Sequence, residues 1–314
     1  MLPIMSATRV VRVAAVQAAP VVLDADASVA KAVDLLSQAA ELGADLAVFP
    51  EAFVSFYPQR SWEDATDSGL WERFYQGAIE VPGPLVDHLV EGCKSNDICA
   101  VVGVNERDPA RHGSVYNTML VLSPYGLVQR HRKLMPTGQE RLWYGFGSGD
   151  DLEVAQLPFG RVGGLICWEN RMPLARYAVY QGNPQIWVAP TADSSPGWHA
   201  MMSAIAVESA AFVVAVRSFQ PHAAFPTDFP GELQPEDFQM DSAVFEPSQG
   251  LPITEPLHDK EGIVVADCDL AVGLRQKRWF DVAGHYSRED VLLPRLMRAN
   301  YTEHSTAPVE NRRT

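Results

Sequence analysis

Short, mostly apolar runs recur along this chain, and amphipathic stretches separate several of them. Residues 11–17, 46–49, 98–104, 116–122, 162–166, 186–189 and 212–216 are of this kind, and the more polar 127–132 reads as a further strand. Such runs are too short for buried helices and read as strands, several of them covered on both faces. Between the first two, Val29, Val33, Leu36 and Ala40 recur at steps of three and four, which predicts a helix from about Asp26, stopped at Gly43. A second helix follows the turn Pro82–Gly83–Pro84 and runs to Lys94, and two more cover 173–180 and 201–211. Strand, helix, strand in this order describes an α/β fold with largely buried sheets.

Charge and cysteine usage then narrow the function. The net charge is −14 over 314 residues, which argues against a nucleic-acid partner, since that requires clustered Lys and Arg. Cys93, Cys99, Cys167 and Cys268 form neither a CxxC pair nor a Cys/His cluster, so no metal site is expected. Reduced thiols in a cytoplasmic protein are the simpler reading. The apolar runs fall well short of the roughly 20 residues that span a bilayer, and residues 1–10 carry no signal-like apolar core. Residues 218–259 hold seven prolines and no Lys or Arg. They read as an irregular acidic loop with a short strand near 242–245, serving as solvated surface, oligomer contact or active-site cover. A last strand at 263–267 precedes a polar tail. The runs LAVFPE (46–51) and IWVAPTAD (186–193) echo each other, each a strand stopped by proline and then polar residues. Such an echo fits a fold of two similar halves.

Three of the strands end on reactive residues. Glu51 follows 46–50, Lys133 follows 127–132, and Cys167 follows 162–166. In open α/β sheets, ligand sites lie beyond the carboxyl ends of the strands. Convergence there would combine a proton-transfer group, an electrostatic stabiliser and a nucleophile. Taken singly, each has a plainer reading. A lone buried cysteine is usually a small hydrophobe, Glu51 could cap a helix, and Lys133 could join His131 and Arg132 in an exposed basic cluster. A Cys–His dyad using His131 or His199 lacks the local signature of such enzymes. The glycines of GFGSG (145–149) lack the strand–turn–helix setting that phosphate binding needs.

The segments AVFPEAF (47–53), HRKLMPT (131–137) and GGLICWEN (163–170) occur in an order and spacing that resemble the nitrilase superfamily of carbon-nitrogen hydrolases. The resemblance spans about residues 9–298. It implies an α/β four-layer αββα sandwich forming a single hydrolase domain over 1–298, with 299–314 as a short tail. It implies Cys167 as the nucleophile, Glu51 as the general base and Lys133 as charge stabiliser. A positive charge beside the sulfur should favour the thiolate, and the backbone N–H of Trp168 offers a second donor to developing charge. Glu140 matches a family glutamate that orients Lys133. Gly138 stands where relatives often carry a bulkier residue.

Trp168–Glu169–Asn170 after the cysteine resembles the nitrilase branch, which implies hydrolysis of a nitrile to acid and ammonia through a thioimidate and a thioester. An apolar pocket with aromatic walls suits a nitrile. Trp168 and Tyr57 are the leading substrate-binding candidates, with Phe53, Phe56, Trp143 and Trp187 as further walls. The alternatives are an amidase or N-carbamoyl hydrolase with the same residues, or a catalytically silent assembly protein. No cofactor is needed, and a homo-oligomer is expected, a dimer or a spiral assembly of the family's kind.

Overall fold

The structure, a computed structural model, describes residues 9–58, 68–230, 233 and 239–303. Its first half runs β1 (Val10–Gln17), α1 (Ala25–Glu41), β2 (Leu46–Val48), α2 (Ser68–Gln76), α3 (Pro84–Ser95), β3 (Cys99–Arg107), β4 (Val115–Ser123) and β5 (Gly126–Arg132). Next come β6 (Ala155–Leu157), β7 (Gly160–Gly164), α4 (Pro173–Tyr180), β8 (Ile186–Thr191), α5 (Pro196–Ser209) and β9 (Phe212–Arg217). The chain closes with β10 (Ala243–Phe245), β11 (Gly262–Asp269), α6 (Leu270–Lys277) and α7 (Glu289–Glu303).

These strands form two sheets, ordered β11-β1-β2-β3-β4-β5 and β10-β9-β8-β7-β6. Each has parallel strands at its centre: β1-β2-β3 in the first, β7-β8-β9 in the second. The period-two alternation of β-strands sorts their side chains into two cores. Val11, Val13 and Ala15 of β1 and Leu46 and Val48 of β2 face inward, meeting Val162, Ile186, Val188 and Val214 of the second sheet. Ala14, Val16 and Ala47 face outward beneath α1 and α3, against Val29, Leu36, Leu89 and Cys93. Trp187, Val213 and Ala215 of the second sheet face Val179 of α4 and Met202 and Ile205 of α5. The layers are therefore helix, sheet, sheet, helix, the four-layer sandwich expected.

The echoing runs are β2 and β8, each inside the parallel part of its own sheet. Helix α1 begins where expected, with Asp24 accepting from the Ala27 N–H at 2.9 Å. Helix α5 starts five residues before its expected position, at Pro196. The sequence pattern does not mark α2, β6, α6 or α7, and the polar tail expected after residue 267 contains two helices. The segment before α7 is tied down by the Tyr177 hydroxyl, 2.6 Å from Ser287 Oγ, and Tyr177 also donates to Glu289 at 2.8 Å.

The Pro-rich stretch is only partly the solvated loop that its composition suggests. Phe225 and Phe229 pack edge-on against Phe56 at 6.5 and 6.1 Å. The Gln220 amide donates to the Tyr57 carbonyl at 3.2 Å and accepts from the Tyr57 N–H at 3.0 Å. This stretch thus covers the segment that leads away from Glu51.

Candidate active site

Cys167 stands three residues past β7, with φ of 49°. The left-handed region is costly for a residue with a Cβ, so its surroundings must hold it there. Cys167 opens a 3₁₀ turn over 167–171, and the next two polar residues of that turn fasten the elbow. The Glu169 carboxylate accepts from the Ile166 N–H at 2.8 Å and from the Leu134 N–H at 2.6 Å. Asn170 Nδ2 donates to the carbonyls of Leu165 and Cys167 at 2.8 and 2.9 Å, and its Oδ1 accepts from Trp187 Nε1 at 2.8 Å. Trp187 is thus fully buried core beneath the elbow, not a pocket wall.

Glu51 leaves the end of β2 and Lys133 the end of β5, and both are buried. Lys133 Nζ lies 2.7 Å from Glu51 Oε1 and 2.8 Å from Glu140 Oε2. Asn117, in the middle of β4, donates to Glu51 Oε1 at 2.8 Å, and the Ala192 N–H donates to Glu51 Oε2 at 2.8 Å. Glu140 arrives on a 3₁₀ turn over 138–142, where it also caps Thr137 at 3.0 Å. Gly138 opens that turn at φ of 55°, a left-handed conformation that disfavours a bulkier residue. The Tyr57 hydroxyl donates to Glu140 Oε1 at 2.5 Å. Thr191, the last residue of β8, has its hydroxyl oxygen 3.1 Å from Cys167 Sγ.

All four residues proposed as catalytic from the sequence are therefore brought to one buried cluster. The two proposed for substrate binding lie differently. Tyr57 is buried with its hydroxyl on Glu140. Trp168 is 42% exposed; its Nε1 donates to Asp193 at 2.8 Å, and the Arg171 guanidinium sits 4.0 Å from its ring centre. Phe53 belongs to the outer core under α1, while Phe56 and Trp143 join an aromatic cluster with Phe74. Neither histidine pairs with the thiol. His131 lies between Asp151 at 2.8 Å and Glu169 at 3.1 Å, and His199 Nε2 meets the Asp241 carbonyl at 2.7 Å.

The electrostatics correct one expectation. Lys133 does favour the thiolate, but burial and the charge of Glu51 outweigh it, Glu140 adds to them, and the Cys167 thiol is pushed up. One ammonium between two carboxylates leaves a net negative charge, which works against ionisation of the sulfur. Burial also raises Glu51, with Lys133 opposing and Glu140 adding to the shift. For Lys133, burial works against the charge, yet the charges of Glu51 and Glu140 hold the ammonium protonated. The arrangement offers a thiol that resists ionisation, a carboxylate of raised basicity and a fixed cation in one buried site.

The sequence reading missed Thr191, Asn117 and the Ala192 N–H. A signal existed for two of them, since Pro190–Thr191–Ala192 ends β8 as Pro50–Glu51 ends β2.

Residues 12–277 match the family model described as carbon-nitrogen hydrolase. The chain belongs to the carbon-nitrogen hydrolase family. This hydrolase acts on carbon–nitrogen bonds, and among curated proteins it is 39% identical to an aliphatic nitrilase of Sinorhizobium fredii (strain HH103), over 89% of its own length and 93% of the relative's. It is also 39% identical to a bifunctional nitrilase/nitrile hydratase of Nicotiana tabacum, over 91% of its own length and 86% of that protein's. Its fold matches that of a carbon-nitrogen hydrolase from Helicobacter pylori G27 with a TM-score of 0.73 at 17% identity, covering 92% of this chain and 99% of the other.

Proposed function

We propose that this protein hydrolyses a nitrile to the carboxylic acid and ammonia, with Cys167 as nucleophile, Glu51 as general base and acid, and Lys133 and Glu140 as electrostatic partners. The observation that carries the reading is the convergence of Glu51, Lys133 and Glu140 on one another around the buried Cys167 thiol. The choice of nitrile over amide rests on Trp168–Glu169–Asn170 and on relatives named for nitrile hydrolysis.

Each step uses a group already in position. Glu51 takes the thiol proton as the sulfur electron pair bonds the nitrile carbon, and the former π pair takes that proton on nitrogen, giving a thioimidate. Glu51 then deprotonates a water that adds to the same carbon. Protonated nitrogen leaves as ammonia and a thioester remains. A second water releases the acid and restores the thiol, so two waters enter and one ammonia departs. Lys133, kept charged between its carboxylates, and the Trp168 N–H stabilise charge on the tetrahedral species. Trp168 and Tyr57 border the substrate in this reading.

The same reading takes residues 1–298 as one domain and the protein as a cytoplasmic homo-oligomer with no nucleic-acid or membrane partner. Four free, buried cysteines suit a reducing compartment. The apolar side chains of Val291, Leu292, Leu293, Leu296 and Met297, all exposed on α7, suit a subunit contact. Among the described residues, no helix is long and apolar enough to cross a membrane.

Ammonia release from aliphatic, aryl and arylacetic nitriles and their matching amides, with Cys167→Ala as control, tests the proposal. Ammonia from nitriles that disappears in the control is the expected result. Ammonia from amides alone would overturn the substrate assignment.

A further inference from the structure

The end of β8 touches both the nucleophile and the base through three consecutive residues. Thr191 Oγ1 lies 3.1 Å from Cys167 Sγ, and the Ala192 N–H donates to Glu51 Oε2 at 2.8 Å. The Asp193 N–H donates to Thr191 Oγ1 at 2.9 Å. A hydroxyl carries one proton and two lone pairs. Because the Asp193 N–H fills one lone pair, the oxygen is an acceptor on that side, and its own proton is directed at the sulfur. Thr191 is fully buried, so water does not compete for that proton.

The base that takes the thiol proton in the proposed reaction is held by contacts of its own. Glu51 Oε1 already accepts from Lys133 and Asn117, whereas Oε2 accepts only from the Ala192 N–H. Among the described residues, Oε2 therefore retains acceptor capacity.

We propose that Thr191 is a further catalytic residue, whose hydroxyl donates to Cys167 Sγ and stabilises the thiolate formed as Glu51 removes the proton. The inference rests on Cys167 being the nucleophile, as proposed above. The Thr191 proton is not transferred: the S–H bond breaks, the proton goes to Glu51, and the sulfur electron pair forms the S–C bond while Thr191 holds its hydrogen bond. Its hydrogen bond lowers the Cys167 pKa, opposing the larger upward push from burial and Glu51.

The test is alkylation of Cys167 by iodoacetamide, which needs the thiolate but no nitrile. The rate is followed against pH in the wild type and in Thr191→Val and Thr191→Ser, with Cys167→Ala defining the background from other cysteines. Losing a hydrogen bond to an anion predicts alkylation about tenfold slower in Thr191→Val, with the log-rate profile displaced upward by about one pH unit. Thr191→Ser should restore the rate to within about twofold, and nitrile turnover should follow the same order. Should Thr191→Val fold poorly, Thr191→Ala replaces it in the same comparison. An unshifted profile in the folded hydroxyl-free variant, or a serine variant as slow as valine, overturns the role of Thr191 and leaves the nucleophile assignment intact. Absence of Cys167 alkylation in the wild type would instead strike the nucleophile assignment itself.

Discussion

Glu51 and Lys133 meet at 2.7 Å with side-chain exposures of 0% and 1%, although one leaves the end of β2 and the other the end of β5. Each strand on its own would bury an unpaired charge, which is prohibitive. The pair becomes tolerable only when the sheet brings both ends together, so assembling the fold and assembling the chemistry are one event. Glu140, 2.8 Å from the same ammonium, makes the cation a shared one.

Replacing Lys133 by methionine therefore leaves two buried carboxylates facing each other. Removal of one partner from a buried ion cluster costs about 3–5 kcal/mol, and Lys133→Met should lose stability on that scale together with nitrile turnover. Urea denaturation measures the first and ammonia release the second. A loss below about 1 kcal/mol would mean that the cluster is solvated after all.

Tyr57 can serve through its ring or through its hydroxyl, and the 2.5 Å contact with Glu140 favours the hydroxyl. Tyr57→Phe keeps the ring. It should lower kcat about tenfold while changing stability by roughly 1 kcal/mol, the scale of one hydrogen bond. Unchanged kcat with unchanged KM would show that the hydroxyl is dispensable.

His131 gives the fold a pH dependence of definite sign. Burial works against its charge, but Glu169 and Asp151 overcome that and hold its pKa up at about 10, against 6.5 for the ordinary residue. Between those values the folded protein keeps a proton that the unfolded chain releases, so stability falls with rising pH. The contribution is complete below about 6.5 and lost as the pH passes about 10. Urea midpoints at intervals across this window should decline in the wild type and decline less in His131→Gln. Parallel slopes in the two proteins would remove His131 as the cause. Because Glu169 also grips the N–H groups of Ile166 and Leu134, high pH should loosen the elbow that presents Cys167.

The legible part of this molecule is what local pattern encodes. Glu51, Lys133 and Cys167 each follow a strand, so strand-end logic marks them, and the family resemblance adds Glu140. The helices α6 and α7 escaped because Leu274 and residues 291–297 point outward, which spoils the one-sided apolar stripe that marks a packed helix. Strand β6 is three residues long and leaves no period to detect. Thr191 and Asn117 act through partners far away in sequence, on Cys167 and Glu51. The upward push on the thiol pKa is equally hidden, because it depends on two carboxylates and one ammonium being counted together in a buried site. Glu169 was read as a branch marker, and only its bonds to two separate backbone segments reveal it as the brace of the elbow.

The most direct test of the account is the mass of the protein trapped during turnover. Acid quenching under saturating nitrile, followed by intact mass measurement and peptide mapping, should find one acyl or imidoyl adduct on Cys167 and none on Cys93, Cys99 or Cys268. Turnover proceeding at full rate with no adduct on Cys167, or undiminished in Cys167→Ala, would contradict it.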